Sequence, residues 1–140
     1  MPAKGVAEWQ GDLKSGKGTF TAGDSLSGDY SFNSRFEDGP GANPEQLIAA
    51  AHAACFSMAL SAALGNEGTP ADSVRTDATV TLRMVDGTPT ITSIALKTVG
   101  RVPGLDEDAF RAAAEEAKKG CPVSRALAGV GEVTLEASLA

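Results

Sequence analysis

The segment from Gln46 to Gly65 constrains the fold most, because it contains no charged side chain. The preceding residues, Asn43 to Glu45, supply an N-cap, a proline suited to the first helical position and an acid favoured by the helix dipole. The pattern predicts a helix that runs to Leu64 and is capped by Gly65. This helix has no polar face and must be covered on all sides. One other long helix in a chain of 140 residues cannot supply that cover, which argues for a second subunit.

The same stretch is nearly long enough to span a membrane. However, it is rich in alanine and serine, and it contains Gln46 and His52. Its flanking residues Glu45 and Glu67 are acidic, with no basic cluster and no belt of tryptophan or tyrosine. We therefore interpret it as a buried helix of a soluble protein and expect no membrane partner.

Charge and length restrict the function classes further. The net charge of −6 and the pI of about 4.7 disfavour binding to phosphate backbones and anionic lipid, so we expect no nucleic-acid partner. Residues Met1 to Gln10 lack the apolar run of a secretory signal, and we expect a cytoplasmic protein. The length predicts one domain, residues 1–140.

The remaining elements predict an α+β fold. Asp86-Gly87 indicates a tight hairpin turn, and a change of phase in the return strand predicts a bulge near Thr92 or Ser93. The other predicted elements are strands at Val6–Trp9, Gly18–Ala22, Tyr30–Asn33, 74–84 and Val133–Leu139, a helix from its cap Asp106 to Gly120, and a short helix from Cys121 to about Ala128.

The chain has two cysteines, Cys55 and Cys121. In a reducing compartment they are either inert core residues or a working redox pair. Composition alone favours the interpretation as inert core residues. Cys55 lies about 18 Å along the helix from its start, too far for the dipole to lower its pKa, so it needs a nearby cation to react. Cys121 is predicted to cap the short helix, where a thiolate is favoured. Dipole reasoning alone would therefore choose Cys121 as the nucleophile.

Three other side chains could contribute to chemistry. Arg35 and Arg125 are the candidate cations, the first just before the long helix and the second one turn after Cys121. His52, one turn before Cys55, could be a base or a ligand, but a hydrogen-bonded packing role is favoured. One histidine and two cysteines do not make an ordinary zinc site, and no metal is expected.

Three blocks of the sequence, Phe32–Glu37, Asn43–Leu60 and Gly120–Ser124, resemble the OsmC/Ohr family. The resemblance extends over essentially the whole chain, and the sequence His52-Ala-Ala-Cys55 is similar to the OsmC branch. Gln46 stands where many members carry a second glutamate.

The resemblance implies roles for four residues. Cys55 corresponds to the peroxidatic cysteine, Cys121 to the resolving cysteine, Arg35 to the active-site arginine, and Glu45 to the acid of the Asn-Pro-Glu motif. On the order of the cysteines the family assignment is preferred to the dipole argument. Cys55 would reduce an organic hydroperoxide to an alcohol and become a sulfenic acid. Cys121 would then form a disulfide with it, and an external dithiol, of which the lipoyl type is one candidate, would reduce the disulfide.

The family fold implies an intertwined homodimer with antiparallel sheets wrapped around two central helices, and a thiol peroxidase without cofactor. Glu45 and Cys55 lie about 15 Å apart along one helix, so we expect Glu45, with Arg35, to come from the partner chain. Two alternatives remain: a dimer that binds a hydrophobic ligand with redox-silent cysteines, and a structural protein induced by stress.

Overall fold

The computed structural model describes all residues from Met1 to Ala140 and confirms the α+β class. The chain forms two compact units, Met1–Leu47 and Ile48–Ala140. The first contains β1 (Gly5–Gln10), β2 (Lys17–Ala22), β3 (Leu26–Tyr30), α1 (Phe32–Phe36) and the start of α2 (Pro44–Asn66). The second contains the rest of α2, then β4 (Ser73–Val85), β5 (Thr88–Arg101), α3 (Glu107–Gly120), α4 (Pro122–Ala126) and β6 (Glu132–Leu139).

The first unit is an antiparallel meander, β1-β2-β3. Gly18 of the central strand pairs with Trp9 on one side and Tyr30 on the other. A Cβ at this position would meet the Tyr30 ring at 2.4 Å, so only glycine lets the two aromatic rings approach to a centroid distance of 5.5 Å. The tryptophan therefore packs on its own sheet.

The predicted third strand, Tyr30–Asn33, is wrong after its first residue, and the observed strand precedes it at Leu26–Tyr30. The strand ends at Tyr30, and Phe32 and Asn33 begin helix α1. The cause is a capping box: Ser31 Oγ accepts from the Ser34 N–H at 3.1 Å, and Ser34 Oγ accepts from the Ser31 N–H at 2.8 Å.

Helix α2 begins as predicted, because Asn43 Oδ1 accepts from the Gln46 N–H at 2.8 Å. It does not end at Gly65 but continues to Asn66, and Gly68 adopts the left-handed conformation, with φ of 83°, that follows the helix. Residues His52, Phe56, Leu60 and Leu64 form one fully buried stripe. The remainder of this apolar helix is largely uncovered in the single chain, and Met58 is 75% exposed.

The second sheet has the order β4-β5-β6. The hairpin turn at Asp86-Gly87 has positive φ at both residues, and the predicted bulge is confirmed, since the pairing passes from Ser93 to Ile91 and leaves out Thr92. Strand β6 pairs parallel to β5 rather than antiparallel, because the chain crosses over through α3 and α4 before it returns.

The core of the second unit lies between this sheet and its helices. Phe56, Leu60 and Leu64 of α2 join Ile94 and Leu96 of β5, and α3 adds further buried side chains: Phe110, Ala114 and Ala117. Helix α3 is capped by Asp106 as predicted. Cys121 ends α3 and caps α4, which stops at Ala126, two residues short of the prediction.

Candidate functional site

Two pairs of predicted site residues meet, one pair in each unit. In the second unit the Sγ atoms of Cys55 and Cys121 lie 3.2 Å apart, and both are free thiols. A disulfide bond measures about 2.05 Å, so closing it requires the sulfurs to approach by roughly 1 Å. The two sulfurs can therefore meet within one chain.

Cys55 and Cys121 differ in exposure. Cys121 is completely buried at the junction of α3 and α4, whereas Cys55, on the middle of α2, is partly exposed. Of the two cysteines, only Cys55 retains contact with solvent in the single chain.

The two thiols also differ in acidity. Burial raises the pKa of the Cys55 thiol, and Cys121 raises it further against the opposing hydrogen bond of the Val123 N–H. No cation of residues 48–140 is among the groups that act on it. Burial also acts to raise the pKa of Cys121, but hydrogen bonds from the N–H and hydroxyl of Ser124 and from Cys55 outweigh it, so this pKa lies below its usual range.

The short helix α4 explains these contacts. The N–H groups of its first turn have no helical partner, and those of Val123 and Ser124 act to lower the pKa values of the two thiols. Within the chain, then, Cys121 is the more acidic thiol, as the dipole argument predicted.

His52 lies on the buried stripe of α2, and its Nε2 is 2.6 Å from Ser124 Oγ. Burial lowers the pKa of His52. The favoured interpretation of His52 as a hydrogen-bonded packing residue agrees with this geometry. Ser124 was missed as a functional candidate, although its position in the first turn after Cys121 was a signal that could have identified it.

In the first unit, Arg35 pairs with Glu45. Arg35 Nε and Nη2 donate to the same oxygen, Glu45 Oε1, at 3.1 and 2.7 Å, rather than one to each carboxylate oxygen as a bidentate pair would. The Glu45 side chain is 8% exposed and the Arg35 side chain 35%. The guanidinium carbon also lies 5.3 Å from the centre of the Phe36 ring.

The loop between α1 and α2 positions this ion pair. Ser34 Oγ donates to the Ala42 carbonyl at 2.7 Å, and Asn43 Nδ2 donates to the Ser34 carbonyl at 3.0 Å. These bonds hold α1 against the first turn of α2, so that Arg35 and Glu45 face each other. Arg125, the rival cation, has no ion-pair partner and is exposed.

The structure contains no group of three or more histidine, cysteine, aspartate or glutamate side chains that could hold a metal ion. Helix α2 is long and apolar enough to span a membrane by length and composition, and 22% of its most apolar window is buried within the chain.

Comparison with known proteins identifies the family. Residues 37–136 match the family model described as OsmC-like protein. The chain is 49% identical over 138 residues to peroxiredoxin OsmC of Escherichia coli, covering 97% of this chain and 95% of that protein. It is 34% identical over 99 residues to an organic hydroperoxide resistance protein of Xanthomonas axonopodis, covering 69% of this chain and 67% of that protein.

The fold agrees with these matches. The crystal structure of the organic hydroperoxide resistance protein OsmC of Legionella pneumophila superimposes with a TM-score of 0.76 at 26% identity, over 96% of each chain. By sequence and by fold, this chain belongs to the OsmC family.

Proposed function

We propose that this protein is a thiol-dependent peroxidase that reduces organic hydroperoxides to alcohols in defence against oxidative and osmotic stress. The observation that carries the proposal is the 3.2 Å approach of the Cys55 and Cys121 sulfurs in the reduced chain. Relatives named for peroxiredoxin activity and for organic hydroperoxide resistance support the substrate class.

Cys55 is proposed as the attacking thiol, because it is the partly exposed member of the pair and corresponds to the peroxidatic cysteine of the family. Its thiolate attacks the terminal peroxide oxygen, the S–O bond forms and the O–O bond breaks. The alkoxide that is released takes up a proton equivalent to the one that the Cys55 thiol lost on ionisation and leaves as the alcohol. The resulting Cys55 sulfenic acid condenses with Cys121 to a disulfide and water. An external dithiol, proposed to be of the lipoyl type, reduces the disulfide by thiol exchange.

The raised pKa of Cys55 opposes its proposed role as the attacking thiolate. Within its own unit Cys55 has a raised pKa, so the attacking thiolate requires a positive charge from elsewhere. Arg35, oriented by Glu45, is the proposed source of that charge. It would also stabilise the negative charge that develops on the leaving oxygen.

We propose that this Arg35–Glu45 pair acts on Cys55 of a second copy of the chain. Helix α2 is continuous from Pro44 to Asn66. Ten residues of helix separate Glu45 from Cys55 by about 15 Å along the axis and leave their side chains on different faces. If two copies of α2 pack antiparallel, the start of one lies beside the middle of the other.

A homodimer would also cover the apolar part of α2 that the single chain leaves exposed, including Met58. That face is rich in alanine, which allows two helices to approach closely. We infer a cytoplasmic dimer in which residues 1–140 act as one OsmC-like domain, a view supported by alignment over 97% of the chain.

The organic tail of the substrate has a candidate binding groove beside Arg35. This groove has a volume of about 440 Å³ and is lined partly by apolar side chains of Trp9, Leu13, Phe32 and Phe36. An apolar wall next to the cation favours a hydroperoxide with an organic tail over hydrogen peroxide.

The test of the reaction is a count of free thiols after one equivalent of an organic hydroperoxide. The peroxidase should lose two thiols per chain without forming links between chains. A protein that only binds a hydrophobic ligand, or a structural protein, should lose none. Cys55→Ser and Cys121→Ser variants serve as controls, since neither can form the disulfide.

The test of the shared site is complementation. Subunits carrying Cys55→Ser and subunits carrying Glu45→Ala are each expected to be inactive. Mixed dimers should regain activity, because one of their two sites receives both intact residues. Absence of recovery in a verified mixed dimer would argue that Glu45 serves the cysteine of its own chain.

A further inference from the structure

His52 is a fully buried polar side chain that the proposed reaction does not use. It lies on α2 one turn before Cys55, and its Nε2 is 2.6 Å from the hydroxyl oxygen of Ser124 on α4. The other ring nitrogen, Nδ1, has no hydrogen-bond partner in the chain. The bond to Ser124 is therefore the only hydrogen bond of this buried ring.

Helix α4 has few other contacts that hold it in place. It comprises five residues, none of them fully buried, and among them only Val123 packs against the core. No other side chain of α4 forms a hydrogen bond or an ion pair with another element, and Arg125 is exposed. A helix of this length is not stable by itself. Its position therefore depends strongly on the bond between Ser124 and His52.

Cys121 lies at the junction of α3 and α4. Its N–H donates to the Ala117 carbonyl of α3 at 2.8 Å, and its carbonyl accepts from the Arg125 N–H of α4 at 3.0 Å. The side chain is 0% exposed, and its sulfur lies 3.2 Å from that of Cys55 on α2. Because the first turn of α4 folds back onto Cys121, the cover over this side chain depends on α4 staying against α2.

We propose that the His52–Ser124 hydrogen bond is a clasp that holds α4 against α2 and so restricts the reactivity of Cys121 to one partner, the sulfur of Cys55. This inference rests on the proposed function, in which Cys121 resolves the Cys55 sulfenic acid. In that step the S–S bond forms, the S–O bond breaks, and the oxygen leaves as water with the sulfenic and thiol hydrogens. His52 and Ser124 are positioning residues, because they determine where α4 lies.

A resolving thiol needs this restriction because thiols open to solvent react with hydroperoxides and with the disulfides of other molecules. Either reaction would consume Cys121 before Cys55 could use it. A buried Cys121 held 3.2 Å from the Cys55 sulfur reacts instead within the chain, where proximity favours the disulfide. The clasp therefore acts on the choice of reaction partner.

The first experiment measures how fast iodoacetamide alkylates Cys121 in a Cys55→Ser background, where Cys121 is the only thiol. Alkylation requires α4 to open, so its rate follows the fraction of opened molecules. Ser124→Ala should raise this rate about fivefold, since a neutral hydrogen bond contributes roughly that factor to an equilibrium. His52→Leu should raise it similarly, and the double variant should add nothing further, because both changes remove the same bond.

Conservative variants and a matched serine separate the clasp from general stability. Ser124→Thr keeps the hydroxyl, and His52→Gln keeps an amide able to donate or accept near the place of Nε2, so both should stay close to the parent rate. Ser57 is also half-buried, and its Oγ donates to Thr76 at 2.8 Å, which joins α2 to β4 instead of α4. Ser57→Ala should therefore leave the alkylation of Cys121 unchanged.

The second experiment treats the same Cys55→Ser proteins with an organic hydroperoxide. Ser124→Ala should lose its Cys121 thiol about fivefold faster than the parent, because the opened fraction is larger by that factor. Equal rates of thiol loss would show that α4 does not keep hydroperoxide from Cys121 and would overturn the inference.

The alkylation result can also overturn the clasp by itself. It would do so if folded Ser124→Ala reacted at the parent rate, if Ser57→Ala accelerated the reaction equally, or if the parent Cys121 reacted as fast as a thiol in an unstructured peptide. Alkylation needs no hydroperoxide. If the protein with both cysteines formed no disulfide after hydroperoxide treatment, the proposed function would fail, while the alkylation rates would still decide whether the clasp covers Cys121.

Discussion

Replacement of Arg35 by alanine should slow the reaction of Cys55 with hydroperoxide by about two orders of magnitude at pH 7. An unperturbed thiol with the ordinary pKa of 9.0 is about 1% thiolate at that pH. Burial and the neighbouring Cys121 raise the pKa of Cys55, so without a cation the reactive fraction is smaller still. If Arg35 makes Cys55 mostly thiolate, its removal costs a factor of about 100 or more.

The effect of Arg35→Ala on the rate should depend on pH. The rate follows the thiolate fraction, which rises with pH until the pKa is passed. Arg35→Ala should therefore be slowest relative to the parent at neutral and acidic pH, and the difference should narrow as the pH rises through the raised pKa of Cys55. Stopped-flow measurement of hydroperoxide consumption in a single turnover, repeated across the pH range, gives the rate ratio of parent to variant at pH 7 and the pH at which that ratio narrows.

Two controls make the result specific. Arg75→Ala removes an exposed arginine whose side chain is 79% exposed and paired with Asp77, and it should leave the pH profile unchanged. Arg35→Lys keeps the charge but not the planar group that bonds Glu45, so it should give an intermediate rate. If the Arg35→Ala profile coincided with that of the parent, the arginine would not activate Cys55 and the reasoning would be refuted.

Three further outcomes are expected. Cys55→Ser should abolish peroxidase activity, whereas Cys121→Ser should complete one turnover and stall as a sulfenic or over-oxidised species detectable by mass spectrometry; the reverse order would exchange their roles. Leu60→Ala should lower the free energy of unfolding by about 2–5 kcal/mol in chemical denaturation, because Leu60 is fully buried in the core. Met58→Ala should weaken dimerisation in sedimentation experiments while leaving the core intact, since Met58 is exposed in the single chain; unchanged association would place the interface elsewhere.

Several caps and turns could be predicted from interactions between residues that are close in the sequence. The Asn43 cap, the Asp106 cap, the Asp86-Gly87 turn and the bulge at Thr92 were all predicted, because each depends on residues close together in the chain. The end of α2 was misplaced by the same reasoning. Gly65 is tolerated inside the helix, and the residue that takes the left-handed conformation is Gly68.

Less of the candidate site than of the fold could be predicted from local sequence signals. Only the resemblance pointed to Cys55 and Cys121 as a reacting pair, since composition alone favoured inert cysteines, and the structure brings their sulfurs to 3.2 Å. Dipole reasoning was right that Cys121 is the more acidic thiol within the chain, but it could not include exposure. The preference for Cys55 as the attacking thiol rests on that exposure together with the family resemblance.

The amino-acid sequence is therefore sufficient to predict the helices and turns with local signals, the absence of a polar face on α2, and, by resemblance, the family. The tertiary structure alone decided the parallel pairing of β6 and the contacts of Cys55 with Cys121 and of His52 with Ser124. The start of α1 has a local signal, the capping box of Ser31 and Ser34, which the strand prediction overlooked. Caps and turns are hydrogen bonds between near neighbours, so the local sequence specifies them. The sulfur contact and the His52–Ser124 bond join residues far apart in the chain, and packing of the buried stripe of α2 against the β5 sheet and α3 places them together.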